Sequence, residues 1–301
     1  MNQITVVLSS YNGEKVIERQ LDSIFRQKDV DVLVYVRDDG SIDHTIEVLE
    51  EYKAKKQPNK LIVCKGDNIG WQRSFLVALK DAPQADFYAF SDQDDIWFED
   101  KLINAVRRIE KEKKEIPILF HCNKISTDES LKPLKKQVKR LPCALNRKNA
   151  LVQEYAQGCS IVMNGFARLL VTRSIPRKIP HDFWCSLICY LFGKVLYDEN
   201  SYFFHITYGQ NASGEGFLWK SRFMRVKNFF EKKPLYNIPA EELLEKYSDM
   251  LTLEDERFLL KIKNYRSSLS DKLSLIFSPQ FRRKSILATI FFKLSIVFNK
   301  L

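Results

Sequence analysis

Three carboxylates fall within four positions, at Asp92, Asp94 and Asp95, in the stretch Ser91-Asp92-Gln93-Asp94-Asp95-Ile96-Trp97. They follow directly on an apolar run, Phe87-Tyr88-Ala89-Phe90. An apolar run that breaks off into clustered acids reads as a buried strand ending at a functional edge. Crowded negative charge is unfavourable there unless a cation neutralises it. Asp92 and Asp94 offer hard oxygen ligands two residues apart. That spacing suits Mg²⁺ or Mn²⁺, which keeps open positions for a substrate's phosphates. A loop of solvated acids is the plain alternative, and a second acid cluster upstream weighs against it.

That cluster is Asp38-Asp39-Gly40-Ser41-Ile42-Asp43-His44-Thr45, after the β-branched run Val32-Leu33-Val34-Tyr35-Val36. Gly40 permits a tight turn off a strand, and Ser41 or Asp43 can cap the helix that Thr45 begins. Capping accounts for Asp43 but not for two further acids at the strand end. A carboxylate in that place can accept a hydrogen bond from a nucleobase imide N–H, a way of reading uracil or thymine. One acid edge would then hold a base and the other a metal-bound diphosphate.

With these residues in view, the chain resembles the family 2 glycosyltransferases of the GT-A fold. Within them it is similar to the bacterial rhamnosyltransferase-type members that build surface polysaccharides. The matching pieces are Val6 to Gly13, Asp38 to Thr45, Asn68-Ile69-Gly70, Ser91 to Trp97, Gly158-Cys159-Ser160 and Pro180-His181-Asp182-Phe183-Trp184. They span residues 1 to 215. The resemblance implies an inverting sugar transfer from a nucleotide-sugar donor, dTDP-L-rhamnose first and a UDP-hexose second, to a glycan or lipid-linked acceptor. It implies that Ser9, Tyr11 and Asp39 contact the base, with Asp38 beside them. Asp92 would lie near the ribose and the metal, and Asp94 would be the direct ligand of Mn²⁺ or Mg²⁺. Asp182 matches the family's general base, a carboxylate within reach of the acceptor hydroxyl. A helix cap is its plain alternative. Asp95, His181 and Trp184 fall to the acceptor site or its support, and His181 has a packing role as its alternative. Relatives of this type often carry Tyr-Arg-Gln-His before a Gly/Asn loop. Here His205-Ile206-Thr207-Tyr208 stands instead, so that a contact made by the family's histidine is either lost or moved to His205.

The elements that must position these residues can be read from periodicity. Strands are expected at Ile4–Leu8, up to Asp38, at Leu61–Cys64 and at Phe87–Ser91. Helices are expected after the first, second and third, the first with Ile17, Leu21, Ile24 and Phe25 on one face. Alternating βαβα units with short links imply an α/β fold, a Rossmann-like, mostly parallel sheet flanked by helices, with ligands gathered at the strands' C-terminal ends. Lys101 to Lys114 reads as a charged helix whose cations face solvent, and Lys132 to Arg140 as a basic loop, either solvated or lying as a mobile loop over the acceptor site. Arg73, one turn after Gly70, is either a phosphate contact or an exposed helix arginine.

A chain of 301 residues can bury one large α/β core with an appendage. The reading places the glycosyltransferase domain at 1–215 and a helical, basic C-terminal region at 216–301. The 6 cysteines show no C-x-x-C spacing, with Cys64 and Cys122 expected in buried strands. With no signal peptide at the N-terminus, a cytoplasmic location is expected.

Residues 216–301 hold 17 Lys/Arg against 9 Asp/Glu, so +8 of the total +10 sits there. The last thirty residues carry six cations and no acid. The apolar stretches between them are shorter than the roughly 20 residues that span a bilayer. A basic, apolar helix of this kind suits the inner face of an anionic membrane, peripherally. Packing on the enzyme core or on a homodimer partner is the alternative. Nucleic acid is disfavoured as a partner, because the acid-rich edge repels phosphate and no recognition motif appears. A catalytically silent relative that only binds a nucleotide sugar or a partner protein is the competing functional class.

Overall fold

The computed structural model describes residues 1–113, 115–137, 141–208 and 237–301. The calls on Lys114, Lys139, Arg140, Gly209 to Asn211 and the basic residues up to 236 lie outside them. Two compact units separate at Met1–Ile206 and Thr207–Leu301.

In the first unit, strands β1 (Gln3–Ser10), β2 (Asp31–Asp38), β3 (Leu61–Lys65) and β4 (Phe87–Ser91) lie parallel, in the order β3-β2-β1-β4. Between them run α1 (Ile17–Phe25), α2 (Thr45–Lys56) and α3 (Trp71–Asp81). Val6, Val7 and Leu8 on β1 are all fully buried. A parallel strand covered on both faces requires such a run. Helix α1 buries Ile17, Leu21 and Ile24 at the spacing expected for one helical face.

The remaining strands are β5 (Ile96–Trp97), β6 (Ile118–Thr127), β7 (Val162–Asn164) and β8 (Lys194–Ile206). They complete an eight-stranded sheet in the order β3-β2-β1-β4-β7-β6-β8-β5. Strand β7 is antiparallel to both β4 and β6, β8 is parallel to β6, and β5 is antiparallel to β8. The α/β architecture is the one expected, and parallel pairs predominate among the described residues. The short antiparallel insertions escape periodicity, because 2-residue β5 and 3-residue β7 carry no alternation to read. Helices α4 (Lys101–Ile109), α5 (Arg147–Ala150), α6 (Gly165–Val171) and α7 (His181–Phe192) complete this unit.

One sequence expectation is corrected here. Lys101 does not belong to a solvated face: its side chain is fully buried at the start of α4. Its ammonium sits 3.2 Å from the centre of the Trp97 ring.

The second unit is helical, with α8 (Asn237–Lys246), α9 (Leu253–Asn264), α10 (Leu269–Phe277) and α11 (Ile286–Val297). Side chains of Thr252, Ser268 and Ser285 accept backbone N–H bonds in the first turns of α9, α10 and α11. Such capping defines where each helix starts. Phe281 packs edge-on against Phe258 and Phe292, and Tyr265, Ile296 and Leu301 are buried with them. Among the described residues, no helix is long and apolar enough to cross a membrane.

Candidate active site

The C-terminal ends of β1, β2 and β4 border a cleft of about 410 Å³, lined among others by Ser9, Tyr11, Asp39, Trp71, Asp92 and Asp94. A larger hollow of about 560 Å³ includes Gln84, Phe87, Asn164 and Arg168, at the opposite end of β4. It contains none of the candidate site residues, and parallel sheets bind ligands at the other end.

The wall of the cleft is one hydrogen-bonded unit. The Arg37 guanidinium pairs with Asp39 at 2.5 Å and donates to Ser74 Oγ at 2.9 Å. Ser9 Oγ donates to the same Ser74 oxygen at 2.7 Å. Asp39 also accepts the backbone N–H groups of Ile69 and Gly70, at 3.0 and 2.9 Å. It thereby fixes the turn before α3, where Gly70 takes a φ of 83°. Asp38 is fully buried and accepts from Ser10 Oγ, Ser41 N and Ser41 Oγ. Both acids therefore have an architectural role that the sequence did not disclose. Gln93 was also missed. Its amide accepts from Tyr11 N at 2.9 Å and donates to Tyr11 O at 3.1 Å, holding the β1 end against the acid edge. Two-way pairing of a side-chain amide with a backbone has no sequence signature.

At the acid edge, ligand atoms of Asp92, Asp95, Cys159 and His205 lie within 4.8 Å of one another. Asp94 is not part of that group; it lines the cleft with Asp92. Asp95 is fully buried, and its Oδ1 lies 2.9 Å from His205 Nδ1. Burial, reinforced by the charges of Asp95 and Asp94, pushes the Asp92 carboxyl up to about 7. Burial and the Asp95 charge push Asp94 up to about 6. Burial alone would lower His205, but its hydrogen bond and attraction to Asp95 hold it above the ordinary histidine value. Burial keeps the Cys159 thiol well above the usual range, so it is a poor hard-metal ligand. The Asp95 Oδ2 atom is buried without a hydrogen-bond partner. Crowded acids driven toward protonation, with a buried oxygen left over, fit a divalent cation that would discharge them.

The acid edge has a cation of its own beneath it. Burial lowers Lys101 to about 8, while the neighbouring Cys122, Cys159, Asp95 and Asp92 act to raise it. It therefore stays an ammonium at neutral pH. Gln20 joins the same layer, its amide lying between Ser91 Oγ, Trp97 Nε1 and the Asp95 carbonyl.

These shifts predict a pH dependence of stability in metal-free protein. A carboxyl raised by folding contributes stability that is fully present below its unfolded value, near 4, and lost as pH rises through its folded value. For Asp92 and Asp94 the loss begins near pH 4 and is complete once pH has passed about 6 to 7. The melting temperature of Asp92→Asn, relative to wild type, should therefore climb across that window. Parallel melting curves for the two proteins at every pH would refute the assignment.

The segment Pro180 to Trp184 begins α7. Asp182 does not cap it: Pro180 holds the N-cap position, and the Asp182 carboxylate accepts the N–H of Phe183 at 2.8 Å. Asp182 is buried and does not itself line the cleft. His181, next to it, stacks on Phe75 at 4.2 Å and meets the rings of Phe90 and Trp71 edge-on. Phe75 and Trp71 do line the cleft. Burial lowers the His181 pKa, so the ring is neutral, with both nitrogens unpaired. Trp184 is fully buried and donates its indole N–H to Val171 O at 3.2 Å, so it can serve only from within the core.

Gly158 is explained by His181. A Cβ at Gly158 would run into the imidazole Nε2, and the ring is wedged among aromatics. Gly158→Ala is expected to cost about 1–3 kcal/mol, the usual penalty of overpacking. Chemical denaturation measures it, and an unchanged midpoint would show that the ring can move aside.

The model of the family described as "Glycosyl transferase family 2" matches residues 5–168, more than half of the chain. The chain belongs to glycosyl transferase family 2. This family 2 chain is 40% identical over 103 residues to the dTDP-rhamnosyl transferase RfbG of Shigella flexneri, covering 33% of this chain and 35% of that one. It is 22% identical over 286 residues to the teichoic acid poly(glycerol phosphate) polymerase of Staphylococcus epidermidis, covering 94% of this chain and 34% of that one. The alignments thus span about a third of the length of these curated relatives. Among solved structures, S. aureus TarS 1–349 in complex with UDP matches with a TM-score of 0.55 at 18% identity, over 92% of this chain and 76% of that one. The complex of the same protein with UDP-GlcNAc matches over 93% and 78%, again with a TM-score of 0.55 at 18% identity. That likeness concerns the fold, which is the GT-A arrangement expected.

Proposed function

We propose that this chain is an inverting glycosyltransferase. It moves a sugar from a nucleoside diphosphate donor to a glycan or lipid-linked acceptor in surface polysaccharide synthesis. One observation carries the reading: the polar wall of Ser9, Asp39 and Tyr11 and the acid pair Asp92 and Asp94 face a single cleft at the strand ends. Nucleotide and diphosphate need those two chemistries side by side. The named activity of RfbG supports dTDP-L-rhamnose as donor, and the TarS complexes support a UDP-sugar as second choice.

Position supports the following roles. Tyr11, half exposed, offers a ring to the base, with Ser9 and Asp39 beneath it. Asp38 holds the turn behind them. Asp92 and Asp94 would hold Mn²⁺ or Mg²⁺, because their half-buried position at the cleft leaves ligand sites open to phosphate. When bound, the ion supplies the positive charge that a departing diphosphate needs. Buried Asp95 and half-buried His205, paired with each other, orient that edge from behind. Asp182 is assigned as the general base on the family resemblance; it is buried beside His181, whose ring neighbours Phe75 and Trp71 line the cleft.

The silent-binder reading draws on Tyr208, which replaces the histidine frequent in relatives. His205 beside Asp95 argues for an active enzyme, since it brings an imidazole to the acid edge. Donor hydrolysis without acceptor, measured with and without Mn²⁺, separates the two. Thermal stabilisation by dTDP or UDP with Mn²⁺, and not by GDP, is expected on this reading, because selective binding raises apparent stability. Equal stabilisation by all three would undo the base-reading role.

A further inference from the structure

The second unit carries a surface that the proposed roles leave unassigned. Helix α11 buries Phe292, Ser295 and Ile296 on one side. On its other side Ile286, Leu287, Ile290, Phe291, Leu294 and Val297 are all exposed. They recur at the spacing of one helical face, an apolar stripe running the length of a 12-residue helix. Helix α10 adds Leu269, Leu273 and Phe277, exposed at every fourth position. Large apolar side chains set together on a surface mark a docking site.

Charge indicates what docks. Arg282, Arg283 and Lys284 stand immediately before the Ser285 cap of α11, and its last turn carries no cation. That is the reverse of what helix stability favours, since cations belong at the C-terminal end of the macrodipole. Helix stability therefore does not account for their place. Arg282 and Lys284 are exposed, whereas Lys293 is turned inward, donating to the carbonyls of Leu275 and Ser278. No acid occurs between residues 272 and 301. A second copy of this surface would set cations against cations, whereas an anionic surface would match it.

We propose that the exposed face of α10 and α11, with the 282–284 cations, docks this chain on an anionic lipid bilayer. At 1.5 Å per residue the 12-residue α11 is about 18 Å long. It therefore lies in the interface plane, its stripe among the acyl chains and its cations at the headgroups. The proposal goes beyond the transfer reading and is tested without donor or acceptor.

The test is flotation of the full chain with vesicles of phosphatidylcholine and phosphatidylglycerol, against pure phosphatidylcholine. Binding should be about tenfold or more greater on the anionic vesicles and should fall with salt. Truncation is unsuitable, because Phe281, Phe292 and Ile296 are core residues. The stripe is instead changed on its exposed side with Leu287→Ser, Ile290→Ser and Phe291→Ser, and folding is checked by circular dichroism. The charges are changed separately with Arg282→Gln and Lys284→Gln. Both variants should lose most of the flotation. Equal flotation on the two vesicle types, none on either, or wild-type binding by both variants overturns the proposal. So does concentration-dependent dimerisation that the stripe variant abolishes while flotation is absent, which would assign the face to a second copy.

Discussion

Asp182→Asn is expected to leave folding and nucleotide affinity intact while turnover falls roughly 10²–10⁴-fold, the usual contribution of a positioned base. The amide matches the carboxylate in size. Its oxygen can still accept the Phe183 N–H bond that the carboxylate now accepts at 2.8 Å. Pro180 rather than Asp182 occupies the cap position, so losing the first-turn charge costs helix α7 only about 0.3–1 kcal/mol of macrodipole attraction. The substitution therefore removes basicity and little else. Initial rates with a defined acceptor, alongside nucleotide titration by calorimetry, give the answer. Near-normal turnover would move the base elsewhere.

The second large effect belongs to Asp94. Asp94→Ala should abolish metal-dependent nucleotide binding, whereas Asp95→Asn or His205→Gln should weaken it about 10–100-fold, the range for residues that orient ligands from behind. The distinction follows from exposure. Asp94 lines the cleft, and Asp95 is fully buried against His205. Calorimetric titration of dTDP or UDP with and without Mn²⁺ reads the difference directly. An Asp94→Ala protein with undiminished affinity and an unchanged metal requirement would remove that residue from the site.

Much of this was legible in the sequence because its signals are local. Continuous apolar runs ended at Asp38 and Ser91, where β2 and β4 end, and the period of Ile17, Leu21 and Ile24 located α1. What stayed hidden depends on residues far apart in the chain. The Arg37–Asp39 pair with Ser74 and Ser9, and the clamp of Gln93 on Tyr11, join segments up to 82 residues apart. No periodicity encodes such contacts. Lys101 was misread for a related reason. A lysine at the start of an amphipathic helix is ordinarily solvated, and only the fold brings Trp97 and the acid layer around it. The His205 pairing was half visible, since its type and distance from Tyr208 were plain but the facing of its strand was not.

The buried ammonium of Lys101 has a consequence for how this chain can change over generations. It sits over Trp97, in the field of Asp92 and Asp95, and both it and Asp95 are shut off from solvent. Replacing Lys101 alone strands the acids' charge in the core, and neutralising an acid alone strands the lysine's. The two losses should not add: a Lys101→Met, Asp95→Asn double substitution should be less damaging than the sum of its parts, the epistasis expected of groups that share one field. Viable sequence drift at this junction would then proceed by paired replacements, with single steps crossing a fitness valley.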